Sequence, residues 1–276
     1  MTLANANDFL RYMGISDPML VAAGKVSGVS FIAKFGASGD VDTDTVPQDV
    51  WSGAPETYSA DGGVYTFSSS ADIDSISSSS DTDTQDVTID GLDSSYELVT
   101  QTITLTGQTR KALDTSLIRV FRAYNTNSAD FDGEVYIYKN GATTDGVPDT
   151  LTDIRAKIIE GTNQTEMAIY TIPAGKTGFF IQGYVGVSKI TTSEAEFVYY
   201  VRPFGGVFQI KGRIAQSTIG NGYWIYKYGI PLAVPEKADV KITCVNVGAN
   251  GTGVVGGFDI LLVDNEVLDK IPTLEI

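Results

Sequence analysis

Across 276 residues the chain carries 34 acidic side chains against 19 basic ones, no histidine and a single cysteine, for a net charge of −15. The missing histidine excludes a Ser-His-Asp or Cys-His catalytic arrangement and any imidazole metal site, and nothing unperturbed titrates between about pH 5 and 8. The acidic balance argues against nucleic acid or an anionic membrane as partner, while 42% apolar residues are enough for a sizeable core and too many for a disordered chain.

Residues 1–48 differ from the rest of the chain. Phe9, Leu10 and Met13 share one side of a short predicted helix over 5–13 that Gly14 ends. Asp17-Pro18 breaks the chain again. Residues 26–35 predict a Gly-interspersed strand, and 36–47 an acidic connector. The segment holds too few apolar residues to fold alone. It is expected to be an anchoring arm, with Phe9, Leu10, Met13, Phe31 and Phe35 buried against a shell or a neighbouring copy.

From Asp49 onward the pattern is β. Short runs of Val, Ile, Thr, Tyr and Phe alternate with Gly, Asp, Asn and Ser clusters. Strands are predicted at 65–67 and 87–89. The period-two run over 99–105 gives one buried face. Adjacent Val120 and Phe121 interrupt the alternation of 118–124 and predict a β-bulge. A strand over 134–138 ends at Asn140-Gly141. The serine-rich tract over 68–80 is either a flexible linker or, as interleaved Ile73 and Ile76 suggest, a serine-rich strand. Further strands are predicted at 167–172, at 179–187 with single alternation, at 197–201, at 208–214 and at 224–228. Pro231 and Pro235 confine 232–234 to an edge or loop. Runs 241–247 and 257–263 are expected to close the fold as a hairpin through the glycine-rich stretch. The spacing of about 8–12 residues favours an antiparallel β-sandwich or jelly roll over a parallel α/β sheet. The body is expected over 49–265, either whole or as two sub-sandwiches of about 49–160 and 165–265, with a tail over 266–276.

Several motifs carry chemistry elsewhere but lack its context here. Gly251-Thr252-Gly253-Val254-Val255-Gly256 matches G-x-G-x-x-G, yet no helix start comes after it and Ile276 stands where an acidic residue belongs. Asp40, Asp42 and Asp44 open like a calcium loop, but Thr45 and Trp51 occupy its glycine and glutamate positions. Asp130, Asp132 and Glu134 form the best remaining oxygen cluster for Ca²⁺, with solvated acidic turns as the alternative. No pair of carboxylates is singled out for glycoside hydrolysis. Cys244 lies on the same strand face as Ile242 and reads as a small core residue. No cofactor is expected. No basic-then-apolar leader opens the chain, and no apolar run approaches the ~18 residues of a membrane helix, so the expected site of synthesis is the cytoplasm.

Aromatic residues are the remaining candidates. Tyr199 and Tyr200, and Tyr223, Trp224, Tyr226 and Tyr228, place rings on both faces of their strands. One sheet face cannot bury both sets. A subunit interface is the preferred reading, with a sugar-binding platform or plain core as alternatives.

Taken in order, Asp49-Val50-Trp51-Ser52-Gly53, Tyr65-Thr66-Phe67, Val87-Thr88-Ile89-Asp90-Gly91-Leu92-Asp93, Thr102-Ile103-Thr104-Leu105-Thr106-Gly107, Arg119-Val120-Phe121-Arg122-Ala123-Tyr124, Tyr170-Thr171-Ile172-Pro173-Ala174-Gly175-Lys176-Thr177, Arg202-Pro203-Phe204-Gly205-Gly206-Val207-Phe208 and Pro235-Glu236-Lys237-Ala238-Asp239-Val240 make a pattern that resembles a family of tailed-bacteriophage virion structural proteins of the head and decoration type. The resemblance covers about residues 49–265 and brings no catalytic residues. It implies a non-enzymatic virion component made in the host cytoplasm, most simply a capsid decoration or cement protein. Its partners would be the phage capsid or other virion proteins and copies of itself, a trimer being favoured, with no nucleic acid and no membrane. A tail, neck or head-fibre component, a carbohydrate-binding adhesin and a carboxylate-pair hydrolase are the alternatives.

Overall fold

The computed structural model describes residues 17–53, 63–189, 191–219 and 222–271. The expected all-β, antiparallel sandwich is what forms, with two small helices at its margins. Helix α1 (Asp17–Ala22) begins at Asp17-Pro18, where a chain break was expected. Proline suits a first helical turn because its missing N–H has no intrahelical partner there. Strands β1 (Val29–Val41) and β2 (Gln48–Asp49) come next.

Two cores organise the body. The first lies between the sheet ordered β11-β8-β3-β6 and the sheet ordered β5-β4-β7. In chain order these strands are β3 (Ile73–Ser78), β4 (Asp86–Leu92), β5 (Leu98–Thr104), β6 (Lys111–Leu117), β7 (Arg119–Asn125), β8 (Val135–Lys139) and β11 (Ile154–Ile158), with β9 (Thr143–Thr144) and β10 (Val147–Pro148) as a small ribbon before the last. The serine-rich β3 is a central strand. Ile73 and Ile76 are fully buried, and Ser77 donates to the Gly146 carbonyl at 2.7 Å. A buried hydroxyl is tolerated in a central strand when a neighbouring carbonyl accepts its hydrogen bond, as here.

The second core lies between β1-β18-β13-β16 and β12-β17-β14-β15, with β2 beside β17. Its strands are β12 (Ile169–Thr171), β13 (Lys176–Ser188), β14 (Glu194–Arg202), β15 (Gln209–Ser217), β16 (Tyr223–Val234), β17 (Asp239–Val247) and β18 (Thr252–Asp264), before helix α2 (Asn265–Leu268). Cys244 is wholly buried in this core, and burial pushes its thiol up to about 12, far from a nucleophile's range.

Residues 29–41 belong to this body and not to an arm. Strand β1 pairs antiparallel with β18 from Val29 opposite Val263 to Val41 opposite Thr252. Gly36 makes the fit, since a Cβ there would stand 2.2 Å from the Val50 carbonyl oxygen and 2.4 Å from the Ala168 nitrogen. Backbone therefore packs on backbone across the sandwich. Phe9, Leu10 and Met13 lie outside the described residues.

The ladders decide three further points. On β7, Arg122 faces Asp90 and Val120 faces Gly91, so Phe121 is the extra residue of the expected bulge. The bulge lets neighbouring side chains enter different cores, Val120 the first and Phe121 the second. On β13 the single alternation over 179–187 fails. A register shift between Phe180 and Gln182 moves the buried phase from Phe180 to Val185 and leaves Ile181 exposed, because one extra residue flips every later side chain. Finally, 241–247 and 257–263 form no hairpin. Strands β17 and β18 sit in opposite sheets, and β18 extends back through the glycine-rich stretch to Thr252 between β1 and β13.

Residues 65–67, expected as a strand, form no ladder with any described residue. They contribute a row of rings instead: Trp51, Tyr65 and Phe67 meet edge to face at 5.1 and 4.9 Å. Beneath this row runs a buried charge network that ties the sandwiches together. Arg119 on β7 donates from Nε to Asp239 Oδ1 on β17 at 2.8 Å and from Nη1 to the Ser68 carbonyl at 2.6 Å. Arg202 donates to the same carboxylate at 2.9 Å. Lys241 pairs with the fully buried Asp49 at 2.8 Å, whose other oxygen accepts from Thr243. Buried charges persist only when paired and hydrogen-bonded, and every ion here meets that condition.

Candidate assembly surface

Strands β15 and β16 are the outermost strands of the two facing sheets of the second sandwich. Among the described residues each is paired on one side only, β15 with β14 and β16 with β13. A sheet edge presents a row of free N–H and C=O groups to another chain. Strand β16 has 12 residues, about 40 Å of edge. Pro231 is tolerated there because an edge residue can do without one ladder donor.

The side chains on this edge are apolar and open. Ile230 is 88% exposed, Val207 75% and Phe204 64%, and Ile210, Ile219, Tyr223, Ile225 and Tyr226 are exposed as well. Exposed apolar side chains concentrated in this way make the region a candidate interaction site. Charge singles out the same stretch. Residues 203–235 contain no Asp or Glu, and their charged side chains are Lys211, Arg213 and Lys227. Residues 68–166, which build the first sandwich, contain 17 acids and 7 bases. The edge is thus apolar and basic on an otherwise acidic molecule. Arg213 is held by Glu196 of β14 at 2.6 Å.

The rings form an ordered shelf. Trp224 and Tyr226 stack with centroids 5.5 Å apart and planes 13° from parallel, and Tyr228 meets Tyr226 edge-on at 4.8 Å. Behind them, Tyr199 is buried over Gly183, where a Cβ would stand 2.7 Å from the ring. A recess of about 200 Å³ separates the shelf from Lys211 and Gly212.

The structure therefore brings Tyr223, Trp224, Tyr226 and Tyr228 together on one edge. It removes Tyr199 into the core and leaves Tyr200 half-buried, 6.1 Å from the Phe208 ring. Phe31 and Phe35 are exposed on β1, at the opposite edge of the same sheet. Asp130, Asp132 and Glu134 do not converge. Asp130 accepts from Asn163 at 2.6 Å, Asp132 from Thr82 at 2.9 Å, and Glu134 pairs with Lys157 at 2.7 Å. Among the described residues no group of three metal-ligating side chains gathers. Sequence reasoning missed Phe204, Val207, Ile210, Ile219 and Ile230. The carboxylate-free run over 203–235 was the signal that could have found them.

No family model matches this chain, and neither does any curated protein. Among solved structures, the VP2 subviral particle of infectious bursal disease virus aligns over 87% of this chain and 73% of its own at 8% identity, with a TM-score of 0.21. A structure of the infectious bursal disease virus Gt strain aligns over the same shares at 10% identity and a TM-score of 0.20. At these scores neither likeness carries an argument about this chain. No helix among the described residues is long and apolar enough to cross a membrane.

Proposed function

We propose that this protein is a non-enzymatic structural component of a tailed-phage virion, specifically a capsid decoration protein, which assembles with copies of itself through the β15–β16 edge. The observation that carries the reading is this long, unpaired, apolar and carboxylate-free edge on an acidic body. A second copy supplies the complementary chemistry, because its first sandwich carries the acidic excess. Specific interfaces bury about 1,200–2,000 Å², and symmetric repetition multiplies modest contacts by avidity. The residue pattern that resembles phage head proteins supports the same assignment.

Sedimentation of the full chain tests the assembly. The wild type is expected as an oligomer at micromolar concentration. Ile225→Asp with Ile230→Asp is expected to give a folded monomer, since neither position is buried. A wild-type monomer, or an oligomer that survives both substitutions, rejects the edge. Reconstruction of the particle then separates a head position of many copies from a neck or fibre position of few.

The stacked Trp224–Tyr226 pair beside Lys211 and Arg213 favours a second reading, a glycan-binding shelf. Glycan-array binding that Trp224→Ala abolishes without changing the oligomer would support it.

A further inference from the structure

A cleft of about 460 Å³ opens where edge strand β1 of the second sandwich meets the outer face of the β5-β4-β7 sheet of the first. Pockets for small organic ligands fall within about 300–1,000 Å³. Its walls are apolar, with Phe31 and Phe35 on one side and Leu98 and Val99 on the other. Its polar lining comprises Lys34, Asp90, Thr100, Arg122, Gln164, Thr165 and Tyr170. Lys34 is buried, and its ammonium reaches the carbonyl of Phe121, the group that the β7 bulge turns out of the ladder. That leaves two N–H donors. Arg122 stands on the same sheet face, directly across the ladder from Asp90.

The decisive group is Tyr170. Its side chain is 2% exposed, it lines the cleft, and its hydroxyl has no hydrogen-bond partner among the described residues. Burial first, and then the charge of Asp90, push the phenol well above its ordinary range, so it remains a donor. A buried hydroxyl left unpaired costs about 1–3 kcal/mol. Among the lining residues Asp90 is the one carboxylate, and its Oδ1 accepts from Thr100 at 2.8 Å. Below about pH 7, where Lys34 is protonated, the lining thus holds two cations, Lys34 and the exposed Arg122 stacked on Tyr124, and the Tyr170 hydroxyl against one acid.

We propose that this cleft binds a small apolar carboxylate, its acid group taken by Lys34, Arg122 and the Tyr170 hydroxyl and its hydrocarbon body by Phe31 and Phe35. An anion fits better than a neutral ligand because it relieves the repulsion between Lys34 and Arg122. That repulsion, after burial and against the attraction of Asp90, holds the lysine down to about 7. The site is separate from the β15–β16 edge, and binding is expected in oligomer and monomer alike.

The test uses sodium octanoate, with 1-octanol and octylamine as matched probes, by ligand-observed NMR on the full chain. Octanoate is expected to bind at least about tenfold more tightly than either probe, the ratio that one hydrogen bond to a charged group supports. It is also expected to protect Lys34 from acylation by an N-hydroxysuccinimide ester, read by mass spectrometry. Tyr170→Phe removes only the unpartnered hydroxyl, so the fold is expected to be unharmed while octanoate affinity falls several-fold. Lys34→Met is expected to remove octanoate selectivity altogether. Equal binding of the three probes, binding of none, unchanged labelling of Lys34, or undiminished affinity in a folded Tyr170→Phe protein overturns the proposal.

Discussion

The two sandwiches are built alike inside and differ at their rims. The main strands of the first run to 5–7 residues and those of the second to 9–13. In the first, polar side chains tie off the ends. Buried Asp83 accepts from Ser78 and from the backbone of Asp132 and Gly133, and Asn125 binds Asn163 at 3.0 Å. In the second, the last strand of each sheet has no further partner among the described residues and carries exposed apolar side chains, Ile210 on β15 and Tyr223, Ile225, Tyr226 and Ile230 on β16. The same alternation of apolar residues makes both cores. The rims therefore differ, with polar ties at the strand ends in the first sandwich and exposed apolar side chains on the outer strands in the second.

The largest effect is expected where the halves join. Asp239→Ala leaves Arg119 and Arg202 without their carboxylate, and breaking a buried pair in this way costs about 3–5 kcal/mol. Urea unfolding followed by tryptophan fluorescence measures it. A loss below about 1 kcal/mol would mean that the sandwiches are held by their apolar seam alone.

Core and edge separate next. Phe197, wholly buried in the second core, is expected to lose about 3–5 kcal/mol as Phe197→Ala. Ile230→Ala, at an 88% exposed site, is expected to stay within about 0.5 kcal/mol in melting while weakening the oligomer. Equal melting shifts for the two would erase the distinction between core and rim. Gly36→Ala forces a methyl onto the Val50 carbonyl and is expected to cost at least about 1–3 kcal/mol, measurable by the same melts.

The effect of pH is gentler and tests the seam and both cores at once. Lys34, between the sandwiches, is held down to about 7, first by burial and then by Arg122. Between that value and about 10.4 the unfolded chain binds a proton that the folded protein refuses. Stability therefore rises with pH there, by up to about 1.4 kcal/mol per unit. Tyr65 in the first core and Cys244 in the second are pushed up to about 12, chiefly by burial. Their unfolded forms release protons that the folded forms keep, so stability falls above about pH 9. A maximum near pH 9 is expected, and Lys34→Met should flatten the rising limb. Stability that is flat from pH 7 to 9 in the wild type would show that Lys34 is solvated.

Much of the fold was legible because a strand in a half-buried sheet writes its burial into every second residue. The core role of Cys244 was readable in that way, the bulge at Phe121 from a break in the alternation, and β3 only from Ile73 and Ile76 standing among serines. The aromatic edge was half legible. Rings on both faces of 223–228 pointed to an interface, but Ile210 and Ile230 sit in runs that look like ordinary core strands. The carboxylate-free run hinted at them, and the sheet order adds that no described strand covers them.

By itself the sequence determined the all-β class, the absence of histidine chemistry and the acidic body, because these come from composition and local period. It could not determine strand partners. The alternation in 179–187 looks the same whether or not a bulge shifts its phase, and 29–41 reads equally well as an arm or an edge strand. The tertiary structure decided that β1 closes the second sandwich, that β17 and β18 lie in opposite sheets, and that Lys34 and Tyr170, 136 positions apart in the chain, line one cleft. Those outcomes depend on long-range hydrogen-bond register and on backbone contact at Gly36, which leave no periodic trace in the chain.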